Sequence, residues 1–181
     1  MKKEMKRKRG TKNKSDKNKI VILIRYIILL AIVFALPFIY NIVKPLTIIP
    51  SLYLLDLFYG VQQFNDYIII NTTTFIEMIP ACIAGSAYLL LLILNLSTPL
   101  NIKRRIFSII FSLLVLLILN ILRIVVFSIW YHEKILLFDF THKLTWYVLS
   151  TLFVVVIWLA AIKIFSVKEI PFYTDIKSFT H

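Results

Sequence analysis

The chain has 181 residues, 60% of them hydrophobic, and a mean hydropathy of +0.85. That is too apolar for an ordinary soluble domain and fits an integral membrane protein. The net charge of +12 arises from 21 Lys and Arg against 9 Asp and Glu, yet it is concentrated in one tail without the aromatic or fold signals of a nucleic-acid-binding protein.

Ten of the basic residues lie in the first 19, from Lys2 to Lys19. Residues 1–19 are expected to form a disordered cytoplasmic tail that sets topology and touches anionic lipid headgroups. An apolar run over 20–40 follows, interrupted by Arg25, which can snorkel toward the basic side. It lacks a small-x-small cleavage site and reads as an uncleaved anchor.

Segment 41–78 is expected to form an outer cap. Thr47 to Tyr59 is apolar but too short to cross a bilayer, so an interfacial or re-entrant helix is predicted. Gly60 to Asp66 reads as a turn, and Tyr67 to Ile76, rich in β-branched and aromatic residues, as a short extended or hairpin element. Further spans are predicted over 79–96, 106–130 and 144–165, each close to the ~20 residues a bilayer core requires. Residues 166–181 form a C-terminal tail. The fold class expected is therefore an all-α integral membrane protein with about four transmembrane helices and a small extracytoplasmic cap.

Charge orients these spans. The loop 97–105 carries Lys103, Arg104 and Arg105 and no acid. Segment 41–78 has Lys44 against Asp56, Asp66 and Glu77, and 131–143 has Lys134 and Lys143 against Glu133 and Asp139. The positive-inside rule places both termini and loop 97–105 in the cytoplasm and the other two loops outside.

This topology brings three chemistry-bearing residues to one membrane face. Cys82, the sole cysteine, lies in Ile79-Pro80-Ala81-Cys82-Ile83-Ala84-Gly85-Ser86. Proline there marks a first helical turn, whose unpaired N–H groups and dipole favour an anion. A lone cysteine excludes an intramolecular disulfide or a multi-cysteine metal site. Its other reading is a small packing residue. Arg123 falls about two turns before the outer end of its span, where burial in lipid costs at least ~2.5–3.5 kcal/mol. Asn120, three residues earlier, is placed to hydrogen-bond it; the alternatives are snorkelling or bonds to backbone carbonyls. His142 sits where the last span begins, with Asp139 or Thr141 as its helix cap. His132 competes with it from what reads as an ordinary wet loop. Together a thiol nucleophile, a guanidinium stabiliser and an imidazole proton shuttle compose an acyl-transfer site.

The order Pro80-Ala81-Cys82-Ile83-Ala84-Gly85-Ser86, Asn120-Ile121-Leu122-Arg123 and Thr141-His142 resembles the exosortase/archaeosortase family over roughly residues 45–165. Its signature is a Cys at the start of one span, an Arg late in the next, and a His or second Arg at the start of the one after. The resemblance implies a sortase-like membrane cysteine transpeptidase or protease with Cys82 as nucleophile, Arg123 as stabiliser and His142 as general acid/base. It also implies a substrate: the C-terminal sorting signal of an exported surface protein, including its membrane helix. The cleaved end would pass to a lipid or another amine acceptor. The chain has fewer spans before the cysteine than many relatives, and Ile83 stands where bacterial ones often carry Ser or Thr, so it resembles a minimal archaeal-type member. No metal or nucleotide cofactor is implied. Other readings are a non-enzymatic membrane scaffold and a thiol-dependent acyltransferase with a lipid donor.

Overall fold

The computed structural model describes residues 33–98 and 100–165, together with Ile27, Leu30 and Ala31. The tails 1–19 and 166–181 and residues 20–26 of the first expected span lie outside the described residues. The molecule is mostly helical, with four helices long and apolar enough to cross a membrane.

Helix α1 runs Leu36–Asp56, which revises the predicted division into a span ending near residue 40 and a separate cap helix. Pro37 has no N–H to donate, so the chain turns at Phe34–Ala35 and a new helix starts with proline in its first turn. The segment from Thr47 is then the second half of one continuous helix. Two internal prolines, Pro45 and Pro50, leave backbone carbonyls one turn earlier without helical donors.

A three-stranded antiparallel meander follows: β1 Val61–Phe64, β2 Tyr67–Ile70 and β3 Thr74–Glu77, in spatial order β1-β2-β3. The predicted hairpin is β2–β3. The predicted Gly60–Asp66 turn is shorter than expected: only Asn65 and Asp66 turn, with Asn65 at φ 51, and Val61 to Phe64 pair with β2. Asparagine tolerates the left-handed region there. Ile68 and Ile70 are fully buried against Ile48, Leu55, Ile121 and Ile124. Anchoring of this kind is what a small sheet needs, since an isolated hairpin is marginal.

The sheet is also tied to the end of α4, Ile102–His132. The His132 Nδ1 lies 2.8 Å from Thr74 Oγ1, and its ring meets Tyr59 edge-on. The Tyr59 hydroxyl donates to Glu133 Oε1 at 2.8 Å. His132 is thus helical and clamps the cap, where the sequence read as a wet loop.

Helix α2, Pro80–Ile83, and α3, Gly85–Ser97, replace the single predicted span over 79–96; Ala84 between them is left-handed at φ 58, ψ 33. At the opposite end, α3 and α4 are joined by only 98–101. Lys103, Arg104 and Arg105 therefore sit in the first turn of α4, and Arg105 donates to the Thr98 carbonyl at 3.2 Å. Below this hairpin Ser108 donates to Asn95 Oδ1 at 2.6 Å, and Asn95 reaches Ser112 at 3.3 Å.

The last span begins at Phe138, six residues earlier than predicted. It consists of α5, Phe138–Leu144, a π turn over Thr145–Leu149, and α6, Ser150–Ile164. Leu137 precedes it without a side-chain cap, so Asp139 and Thr141 lie inside the helix instead of capping it. Helices α1, α3, α4 and α6 share a second apolar cluster that includes Val43, Tyr88, Leu91, Leu116 and Val154. Only 17% to 39% of each spanning window is buried within the protein. The remaining apolar surface, including Phe38, Phe107 and Tyr147, requires an apolar surrounding.

Candidate functional site

Cys82 sits in a helical turn that is cut short. Pro80 opens α2, and the Cys82 N–H donates to the Ile79 carbonyl at 2.9 Å. It is therefore not one of the free donors that the sequence placed around this thiol. The left-handed Ala84 then ends the turn after four residues. A non-glycine residue there costs roughly 1–2 kcal/mol, and the carbonyls of Ala81, Cys82 and Ile83 lose the donors a continuous helix would supply.

Those donors come from α4. Asn120 Nδ2 donates to the Cys82 carbonyl at 3.0 Å and to that of Ile83 at 3.3 Å. Arg123 Nη2 donates to the Cys82 carbonyl at 3.1 Å and to that of Ala81 at 3.4 Å. Hydrogen bonds from a charged donor are worth about 1.5–3 kcal/mol each, enough to offset the left-handed residue. The expected Asn120–Arg123 bond is replaced by shared capping of the Cys82 carbonyl. Arg123 uses the carbonyl contacts that were one of its alternative readings.

Gly85, beside the break, lies under the Tyr40 ring: a Cβ at this position would stand 2.7 Å from a ring carbon. The close approach of α1 thus requires glycine here. Ala81, Ala84, Ser86 and Ala87 line a groove of about 390 Å³ with Tyr40, Trp146 and Ser150, and Arg123 reaches its wall.

His142 comes from α5, in the second turn of the helix. Phe138 stacks on its ring at a centroid distance of 5.3 Å, Phe127 meets it edge-on at 5.3 Å, and Trp146 lies 6.3 Å away. Aromatic contacts on several sides fix the imidazole orientation.

These side chains share one cavity of about 270 Å³. Cys82, Arg123 and His142 line it, with Phe75, Glu77, Phe127 and Tyr131 among the remaining residues. A smaller void of about 20 Å³ also touches all three, together with Ala81 and Trp146. A thiol, a guanidinium and an imidazole from three separate helices thus border a space open to a ligand. The aromatic walls lie in no sequence motif, and Glu77 stands out in the sequence only as a loop charge. Asn120 was readable as the polar residue in an otherwise apolar run. No family model, curated protein or solved structure matches the chain.

Proposed function

We propose that this protein is a sortase-like membrane cysteine transpeptidase or protease of the exosortase/archaeosortase type. The observation that carries this reading is the cavity of about 270 Å³ that Cys82, Arg123 and His142 line together. The substrate is the C-terminal sorting signal of an exported surface protein, and the charge asymmetry of the loops sets the site at the extracytoplasmic face.

Cys82 Sγ attacks the scissile carbonyl carbon while its proton passes to His142. The C–N bond then breaks, and the imidazolium returns that proton to the leaving amine. A lipid amine, another amine or water attacks the thioester and gives up a proton to His142; the C–S bond breaks, and the departing Cys82 thiolate takes that proton back from the imidazolium. Arg123 holds the Cys82 carbonyl through Nη2; its other N–H groups are available to the oxyanion or thiolate.

The test is trapping. Protein with Cys82 and a Cys82→Ser variant are each co-expressed with C-terminally anchored surface proteins, and C-termini and Cys82 adducts are read by mass spectrometry. Clipping that requires Cys82 is the expected result. Identical C-termini in both would remove the enzymatic reading. A second reading, a non-enzymatic membrane scaffold, draws support from the carbonyl contacts of Arg123, which suffice to explain a half-buried cation structurally. A lipid-donor acyltransferase would instead leave an acyl chain on Cys82.

A further inference from the structure

Among the described residues neither edge of the small sheet has a further strand beside it, and the β3 edge borders the cavity. Residues Phe75, Ile76, Glu77, Met78 and Ile79 all line the space that holds Cys82. Successive strand residues point to opposite faces, and Ile76 packs with Ile68 on the core side. Neither face alone could contribute an unbroken run, so the strand meets the cavity along its edge.

The hydrogen-bond phase of β3 says what that edge presents. The Met78 N–H donates to the Asp66 carbonyl at 2.8 Å, which makes Asp66 and Met78 a hydrogen-bonded pair. In an antiparallel ladder such pairs alternate, so Ile68 with Ile76 and Ile70 with Thr74 are also bonded. The backbone N–H and C=O of Phe75 and Glu77 therefore point away from β2. Among the described residues no further strand pairs with β3. Two donors and two acceptors are left on the outer edge of β3, in residues that line the cavity, only a few residues before the cysteine in the chain. An exposed edge of this kind is a template for another strand.

We propose that the free edge of β3 receives an extended peptide segment as a fourth strand, which carries the scissile backbone to Cys82. This rests on the reading of Cys82 as a nucleophile and adds to it the conformation of the bound substrate. The segment is an extended peptide, read through its main chain at Phe75 and Glu77, and its outward side chains meet the walls made by Phe127 and Tyr131. A lipid would not use these donors.

Cys82 is the sole cysteine, so disulfide tethering tests the proposal without requiring turnover. The probe is the peptide acetyl-Val-Thr-Val-Thr-Val-Cys-amide, added as its mixed disulfide with 2-mercaptoethanol to the full chain in lipid nanodiscs. The readout is the 2-mercaptoethanol concentration that releases half of the Cys82-bound peptide. N-methylation is scanned along the peptide, one amide at a time. The expected result is an alternating pattern: methylation of the amides that face β3 lowers the half-release concentration about tenfold, and methylation of those between changes it less than twofold. Phe75→Pro, which removes one free-edge donor at a position where an edge strand tolerates proline, lowers it about fivefold relative to Phe75→Ala. A flat methylation scan, or tethering of a hexyl thiol as tight as that of the peptide, overturns strand addition. Absence of clipping in the co-expression test would instead remove the enzymatic reading, while the scan would still report on the edge.

Discussion

Arg123 and Asn120 donate to the same oxygen, the carbonyl of Cys82, from 3.1 and 3.0 Å. The nucleophile candidate is thus gripped through its backbone by the helix behind it. The strength of that grip determines how the Cys82 turn is presented to the cavity.

Removing either donor leaves the other to satisfy a shared acceptor, so the two losses are not additive. Arg123→Met and Asn120→Leu are each expected to destabilise the protein by about 1–3 kcal/mol. Their double variant should depart from the sum by at least 0.5 kcal/mol, as residues in one hydrogen-bond network do. Thermal unfolding in detergent measures the cycle. Additivity within error would show that the shared oxygen is not a common partner.

Arg123→Lys retains the charge but loses the planar fork. A lysine is a point charge with three rotatable donors, and a reach matched to both the Ala81 and Cys82 carbonyls is not retained. Stability should fall between wild type and Arg123→Met. If clipping depends on charge alone, the lysine variant keeps it; the site geometry predicts a drop of more than tenfold, measured in the co-expression assay.

Ala84 adopts a left-handed conformation at φ 58, which glycine occupies without penalty. Ala84→Gly should raise stability by about 1 kcal/mol, and Ala84→Val should lower it by more than that. Melting temperatures of the two variants decide the matter. The reverse order would mean that α2 and α3 form one unbroken helix.

Gly85 is covered by Tyr40, so Gly85→Ala forces a Cβ into a rigid ring that ordinarily sits 2.7 Å away. The expected cost is about 1–3 kcal/mol. Tyr40→Ala alone leaves a void, whereas the double variant should recover part of the loss through the compensating small side chain. Recovery of melting temperature in the double variant is the readout.

Tyr59 ties the cap to the α4 terminus. Its hydrogen bond to the Glu133 carboxylate, the largest cause, with burial and the negative charge beside it, raises the phenol above its ordinary value near 10. The tie is complete below pH 10 and is lost as pH rises through the raised value, because the phenolate can no longer donate. Stability should therefore fall above pH 10 in wild type and fall less in Tyr59→Phe. Denaturant midpoints between pH 8 and 11 check the slope.

Much of this arrangement is readable in the residues. An arginine and an asparagine inside Leu119–Phe127 stand out against their apolar neighbours, and the apolar runs over 106–130 and 144–165 mark two of the long helices. Tyr67 to Ile76 carries enough β-branched and aromatic residues to indicate an extended or hairpin element, whereas Val61–Phe64, with two glutamines, reads as turn although it forms β1. What was hidden depends on tertiary contact. Nothing local marks Ala84 as left-handed; its conformation is held by side chains from residues 120 and 123. Asp139 and Thr141 look like caps but lie inside a helix that begins without one. Pro37 opens a helix in the structure, but inside an apolar run it is covered by the span expected over 20–40. Glu77 becomes part of the cavity only because β3 leads directly into the cysteine turn.

The π turn at Thr145–Leu149 has a consequence for phase. The Ser150 N–H reaches back five residues to Thr145, and the Ser150 hydroxyl bonds the Trp146 carbonyl. One extra residue is therefore accommodated between His142 and α6. Each residue of an α-helix advances the face by about 100°, so that insertion sets the angle between the imidazole and the surface that packs Val154 and Ile157 against the bundle. Straightening the turn into an ordinary α-helix without removing a residue would swing His142 by about 100° relative to that surface, away from Cys82. The bundle would keep its seam, and the imidazole would lose its bearing.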